Sequence, residues 1–309
     1  MDGRTKTWFG GAAGLICVTF LIAWSVLHAL STGVGDHGRV TELYLKTVHE
    51  KGPDLEAAEL GLGLLGTNAM PTITNMLCFR DSWWRTELRA LLKSQSVVGV
   101  KIHTEFEIQY MAVEGIKRVG NLAGPYLVRL FRDAPLQYAP ENPGYRALKA
   151  LIALQAGSVP ALDAGLTNAN ANVRAHSALA IANSFHLRDP VQITNLVTCM
   201  ADLNSDVRAA AAFAVGKVME APELSVAALA KGLSDTNSAV RFHSIHSLWA
   251  FGVHARDVMP QIEEAIKRER ELPDAGSDQW ELGPKSKEMI LYAMTNALET
   301  IRDHVETPN

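Results

Sequence analysis

The sequence has little of what a nucleic-acid-binding protein or a familiar enzyme carries. Charged residues make up only 20% of the chain, its net charge is −4 and its pI is about 6.2. Without a long Lys/Arg stripe to neutralise phosphates, the composition argues against nucleic-acid binding. The chain also lacks a Gly-x-Ser-x-Gly elbow, a His-Glu-x-x-His pair and a phosphate-binding loop. These absences argue against an enzyme but do not exclude one.

Charge is missing altogether from residues 8–30, which contain no Asp, Glu, Lys or Arg. This apolar run is long enough to cross a bilayer and longer than the ~7–15 apolar residues of a removable signal peptide. Arg4 and Lys6 precede it, so the positive-inside rule places residues 1–7 in the cytoplasm and the rest of the chain outside. We predict a transmembrane anchor. Cleavage near Ser31 is the alternative, because small residues there suit a signal peptidase.

One pattern is present three times in the centre of the chain. A polar turn followed by Val-Arg ends at Arg174, Arg208 and Arg241, a period of 34 and then 33 residues. Asp and Asn in each turn suit the free N–H groups of a helix start, and the Val begins an apolar stripe at helical spacing. Small residues such as Gly216 would let neighbouring helices approach closely. The regular arginines beside polar turns favour a ladder of contacts between repeats over a site for an acidic ligand.

Weaker copies upstream combine a Gly with a following Pro. They lie at Gly66 to Pro71, Gly120 to Pro125 and Gly157 to Pro160. Each predicts that one helix ends at the Gly and that the next begins near the Pro. Together with the Val-Arg units, these features resemble the short form of the HEAT family of helical repeats over about residues 54–304. The first three units lack the Val-Arg signature, and Ala239 replaces the usual acidic or amide residue.

The resemblance implies an all-α fold. We expect an α-solenoid of about six HEAT-like helix pairs with a C-terminal capping helix from Lys285 to about 305, preceded by one transmembrane helix. The predicted organisation is a cytoplasmic N-terminus (1–7), the anchor (8–30), a linker and leading helix (31–53) and the repeat domain (54–309).

An extra helix is expected at about 82–94, and it carries the pair Trp83-Trp84. Paired tryptophans fit a partner-binding hot spot, but aromatic burial favours packing at a helix junction. Pro135, Pro140 and Pro143 predict a long loop, and residues 267–285 a charged insert.

Two further motifs resemble ligand sites. Gly61-Leu-Gly-Leu-Leu-Gly66 matches a dinucleotide fingerprint, but the preceding residues predict a helix where the fingerprint requires a strand. Asp202, Asn204 and Asp206 begin like a calcium loop, although Val207 and Phe213 occupy the places of the required Gly and Glu. Helix initiation explains this turn better.

The histidines could suggest a metal site. His243 and His246 are three residues apart on a predicted helix and His254 follows, but a complete ligand set is not visible. His176 is equivalent to His243 within the repeat, yet Ala210 interrupts the series between them. We therefore predict no metal site, no cofactor-binding residue and no catalytic residue.

Cysteine is scarce, with three in the chain. Cys17 lies in the apolar segment, whereas Cys78 and Cys199 fall in the first and fourth repeats. Helices pack ~8–10 Å apart, so three repeat steps separate this pair by roughly 30 Å, too far for a disulfide. We predict two buried free thiols.

These observations predict a membrane-anchored, non-catalytic scaffold whose repeat surface binds a protein or peptide. HEAT-like arrays are also similar to the phycobilin lyases, so a lyase-like enzyme is the first alternative, although no residue identifies a bilin site. An exported soluble interaction protein is the second alternative and requires cleavage of the N-terminal segment.

Overall fold

The computed structural model of the protein consists of helices and their connections. The described residues are 36–51, 55–94, 102–137, 139–184, 190–274, 276, 283 and 285–306. Every regular element within them is a helix, which confirms the all-α prediction, and the chain has a helical repeat-like fold.

The predicted membrane anchor, residues 8–30, lies outside the described residues. Of the helices that the structure does describe, none is both long and apolar enough to cross a bilayer. The chain divides into two compact units, residues 1–72 and 73–309, and each is described by itself.

The first unit contains helices α1 (Asp36–Glu50) and α2 (Leu55–Leu65), followed by the 3-10 turn Gly66–Ala69. The two helices pack against each other at Gly61, where a methyl group would lie only 2.3 Å from the ring of Tyr44. Gly66 follows α2 with a φ of 51°. The glycine motif is therefore part of a helix and its end, which confirms the helical interpretation over a dinucleotide fingerprint.

Further helices follow along the chain. In order they are α3 (Met70–Leu77), which spans the unit boundary, α4 (Trp83–Ser94), α5 (Glu105–Val119), α6 (Gly124–Arg129), α7 (Pro143–Leu154), α8 (Val159–Leu166), α9 (Ala171–Ala182), α10 (Pro190–Cys199), α11 (Ser205–Val218), α12 (Pro222–Gly232), α13 (Ser238–Phe251), α14 (Met259–Glu271) and α15 (Lys287–Glu306). From α5 to α14, the described residues form five successive pairs, and α15 packs on the last of them. The extra helix and the final helix thus occur where they were predicted.

Four of the five junctions within the pairs, those after α5, α7, α11 and α13, use a residue with positive φ and a nearby proline. Gly120 has a φ of 65°, and Pro125 lies in the first turn of α6, as predicted. The prediction at Gly157 is wrong, because α7 ends earlier and the residue with positive φ, 51°, is Gln155. Gly157 instead makes room for the preceding pair, since a methyl group there would lie 2.4 Å from Oδ1 of Asn121.

The first helices of the later pairs form the core. Helices α9, α11 and α13 lie side by side, and Ala209–Ala212 of α11 are all buried. Gly216 meets α13 so closely that a methyl group would lie 2.1 Å from Oγ of Ser247, which donates a hydrogen bond of 2.8 Å to the carbonyl of Ala212. A helix buried on several sides needs small residues around its whole circumference, which confirms the prediction of close approach.

Candidate interaction face on helices α11 and α13

The Val-Arg arginines form a ladder between successive pairs. Nε and Nη2 of Arg174 donate to the two carboxylate oxygens of Asp202 at 2.7 and 2.8 Å, and Arg208 binds Asp235 with the same two distances. Arg241 binds Glu269 at 2.7 and 2.9 Å. Each pair is bidentate, a strong and directional arrangement. The predicted inter-repeat ladder is confirmed, and these guanidinium groups are engaged within the protein.

The same turns also start the helices. Oδ1 of Asn204 accepts the N–H groups of Asp206 and Val207, and Oδ1 of Asp202 accepts the N–H of Asn204 at 2.9 Å. Burial alone would raise the pKa of Asp202, but hydrogen bonds from Arg174 and from the Asn204 N–H outweigh it and lower that pKa. Asn204 of the supposed calcium loop thus initiates the helix, as predicted, while Asp202 binds Arg174 and the Asn204 N–H.

A fourth arginine that follows a helix-capping Asn was not identified from the sequence. Arg146 lies four residues after the helix-capping Asn142, the same separation as between Asn170 and Arg174. Its guanidinium turns towards the preceding helices, where Nη2 binds Glu105 at 2.8 Å and Nη1 donates to the carbonyl of Phe79 at 3.0 Å. The third unit therefore carries a modified signature. An Asn followed by Arg at the fourth position, without the Val, was the available signal.

The predicted tryptophan pair divides between two environments. Trp83 begins α4 and is 79% exposed, whereas Trp84 is partly buried with the Arg85 guanidinium 5.9 Å from its ring centre. Only Trp84 therefore packs inward.

The two cysteines of the second unit are free thiols. Cys199 is buried as predicted, and burial, followed by the nearby charge of Asp202, raises its pKa to about 11. Cys78 is only partly buried, so that part of the prediction is wrong.

The histidines lie in aromatic surroundings. His176 is buried and stacks on Phe131 with ring centres 4.8 Å apart, and burial lowers its pKa. His243 is also buried and meets Phe213 edge-on at 5.5 Å. The structure does not bring His243, His246 and His254 within reach of one common ion.

A cluster of aromatic and basic side chains, in which Lys217, His246 and Trp249 are exposed, crosses two successive first helices. We define the α11–α13 face as Phe213, Lys217, Phe242, His246 and Trp249. The ammonium of Lys217 lies 5.2 Å from the Phe213 ring centre, and the His246 ring lies 6.1 Å from Phe242 and 5.6 Å from Trp249. Trp249 is 46% exposed.

Lys217 supplies the exposed positive charge of this face. Burial lowers the pKa of His246 first, and the nearby charge of Lys217 lowers it further. The ammonium of Lys285 lies 5.8 Å from the centre of the Phe242 ring, but this side chain is buried and adds no exposed charge to the face. The face therefore combines the exposed Trp249 ring with the positive charge of Lys217, a combination suited to binding.

Sequence reasoning did not find this face. Phe242, His246 and Trp249 occur at helical spacing of four and then three residues, and Phe213 and Lys217 are also four apart. Such spacing places side chains on one helix surface, but a buried stripe gives the same signal.

Comparison with known proteins assigns no family. No protein-family model and no curated protein matches the chain. Similar solved structures include two engineered proteins, each 17% identical over 85% of this chain with a TM-score of 0.39, covering 96% and 68% of their own lengths. A third engineered protein is 18% identical over 76% of this chain and 98% of its own, with a TM-score of 0.42.

Proposed function

We propose that this protein is a membrane-anchored, non-catalytic scaffold that binds a protein or peptide along a HEAT-like α-solenoid of about six helix pairs. The observation that carries the proposal is the α11–α13 face, where an exposed tryptophan and a lysine lie on helices fixed by the core and the arginine ladder. Binding to a preorganised surface loses less conformational entropy than binding to a mobile one. Helical arrays commonly use extended surfaces in this way.

Other exposed apolar side chains support the same function. Met219 follows α11, and Val253 lies two residues after the end of α13; both are about as exposed as Trp249. Both residues are close in sequence to the helices that carry the face, and large exposed apolar residues are frequent in interaction surfaces, although single ones are ordinary.

The membrane part of the proposal rests on the uncharged run 8–30 and the preceding Arg4 and Lys6. In this arrangement residues 1–7 are cytoplasmic and the repeats are extracytoplasmic. The anchor would hold the binding surface close to the membrane and raise the effective concentration of a membrane-bound partner.

Fractionation and crosslinking test the two parts. Full-length protein is expected to remain in the membrane pellet after an alkaline carbonate wash, and removal of residues 1–31 should release it. Crosslinking in intact membranes should then capture a reproducible protein partner, with the released form as the matched control for membrane placement. A mature chain that starts near Thr32 in the soluble extracytoplasmic fraction would refute the anchor. Recovery of no crosslinked protein would refute the scaffold.

A further inference from the structure

We propose that the α11–α13 face binds an acidic peptide segment of the partner, in which a carboxylate pairs with Lys217 and an adjacent apolar side chain packs on His246 and Trp249. This inference rests on the proposed scaffold function and names the chemistry of its ligand.

The first step is the state of Lys217. Its ammonium is exposed, and no carboxylate of a described residue pairs with it or with His246. By contrast, Lys117 binds Glu114 at 2.9 Å. The Phe213 ring beneath Lys217 stabilises the cation in place without neutralising it. On a chain with a net charge of −4, this face is a local site of the opposite sign.

The second step is the aromatic surface beside that charge. The rings of Phe242, His246 and Trp249 contact one another in series along α13, and the Trp249 ring is half exposed. Partly exposed tryptophans that pack against fixed neighbours are frequent centres of protein interfaces, because they bury a large apolar area with little loss of side-chain entropy. A segment with alternating acidic and apolar residues would satisfy both parts of the face.

The third step distinguishes a carboxylate ligand from a phosphate-rich one. Phosphate groups are best held by the forked guanidinium of arginine, and Arg174, Arg208 and Arg241 are each engaged by a carboxylate of this chain. The α11–α13 face offers a single ammonium flanked by rings. That arrangement suits a carboxylate with an apolar neighbour better than a nucleic-acid backbone or an anionic membrane surface.

The test uses the full-length chain in non-ionic detergent and fluorescein-labelled peptides of repeated Glu-Leu-Gly units. A peptide of Gln-Leu-Gly units of equal length is the uncharged control. Fluorescence anisotropy is expected to show tighter binding of the Glu peptide. Lys217→Gln should weaken this binding roughly fivefold, and Trp249→Ala roughly tenfold or more.

Lys149→Gln is the matched control variant. Lys149 is also an exposed lysine over an aromatic ring, with its ammonium 5.5 Å from the centre of Tyr145, but it lies on α7 and outside the face. This substitution should leave peptide binding unchanged. The charge reversal Lys217→Glu should abolish binding of the Glu peptide and allow binding of a Lys-Leu-Gly peptide, with circular dichroism to confirm that each variant is folded.

Three results would overturn the proposal. These are equal binding of the Glu and Gln peptides, equal losses from Lys149→Gln and Lys217→Gln, or Lys217-dependent binding to phosphatidylserine vesicles without peptide binding, which would assign the face to a membrane. If any of these occurs while the membrane crosslink to a protein persists, the scaffold function stands and the acidic ligand is wrong. Loss of the crosslink as well refutes both.

Discussion

At the scale of single residues, Gln155 occupies a backbone conformation that two other junctions assign to glycine. Its φ and ψ are 51° and −129°, compared with 65° and −140° for Gly120 and 55° and −123° for Gly252. A side chain in this region is strained, at a cost of about 1–3 kcal/mol. The surrounding helices therefore hold Gln155 in an unfavourable geometry.

The substitution Gln155→Gly is expected to raise the free energy of unfolding by about 1 kcal/mol, because the relieved strain exceeds the entropy that glycine adds to the unfolded chain. Ala156→Gly, in the same 3-10 turn, is the control and should lower stability by about 0.5–1 kcal/mol. Urea unfolding followed by circular dichroism measures both. Equal losses in the two variants would show that Gln155 is not strained.

At the scale of elements, each ladder pair connects two successive helix pairs through partly buried charges. The side chains of Arg208 and Asp235 are 15% and 13% exposed. Burial alone would raise the pKa of Asp235, but the hydrogen bonds from Arg208 and the Asn237 N–H outweigh it, so the pKa is lowered. A lowered carboxyl pKa gives stability that is present above the unfolded value of about 3.9 and is lost as pH falls through the folded value.

Asp235→Asn should therefore lower the free energy of unfolding by about 1–3 kcal/mol at pH 7, because Arg208 loses its charged partner. The difference from the wild type should shrink as the pH falls from the unfolded pKa of about 3.9 through the lowered folded pKa, because the wild-type carboxylate is then itself protonated. Glu223→Gln on α12 is the control, since that carboxylate is exposed. A deficit that stays constant between neutral and strongly acidic pH would show that the ion pair contributes nothing.

How much the sequence could predict also differs between elements. The starts of helices could be predicted from the sequence, because an Asn cap accepts hydrogen bonds from N–H groups two or three residues away. Such caps occur at Asn170, Asn204 and Asn237. The ladder followed from the repeat itself. The role of Glu269 could not be predicted from the repeat, because this residue lies within α14 and not in a polar turn.

The α11–α13 face lay beyond sequence reasoning for a different physical reason. Its members come from two helices that are one repeat apart, and which of their surfaces stays open depends on how closely neighbouring pairs pack. Gly216 illustrates this, because its buried position is fixed by contact with Ser247 of the next pair. Local spacing does not contain that information.

At the scale of the molecule, the ladder makes the array modular. Deletion of residues 206–238 joins Ser205 to Ala239 and removes both Arg208 and Asp235. The ion pairs Arg174–Asp202 and Arg241–Glu269 keep both of their members. We expect a shorter folded array, because each repeat contacts mainly its neighbours.

Deletion of residues 206–221 is the matched control. It removes α11 and Arg208 but keeps α12 and Asp235, so an apolar helix surface and a carboxylate both lose their partners. Circular dichroism and limited proteolysis should show much greater loss of structure than in the longer deletion. Similar damage in both variants would contradict the modular interpretation.

The ladder is interrupted once. Arg146 of α7 binds Glu105 before it, Arg174 of α9 binds Asp202 after it, and no ion pair of the described residues joins α7 to α9. These two helices also pack less extensively than α9 and α11, or α11 and α13. Any bending at this joint would leave α9, α11 and α13 together, because ion pairs join these helices to the turns that follow them. A partner held on the last two of these helices would swing with them and change its orientation to α5 and α7 without any loosening of its own contacts.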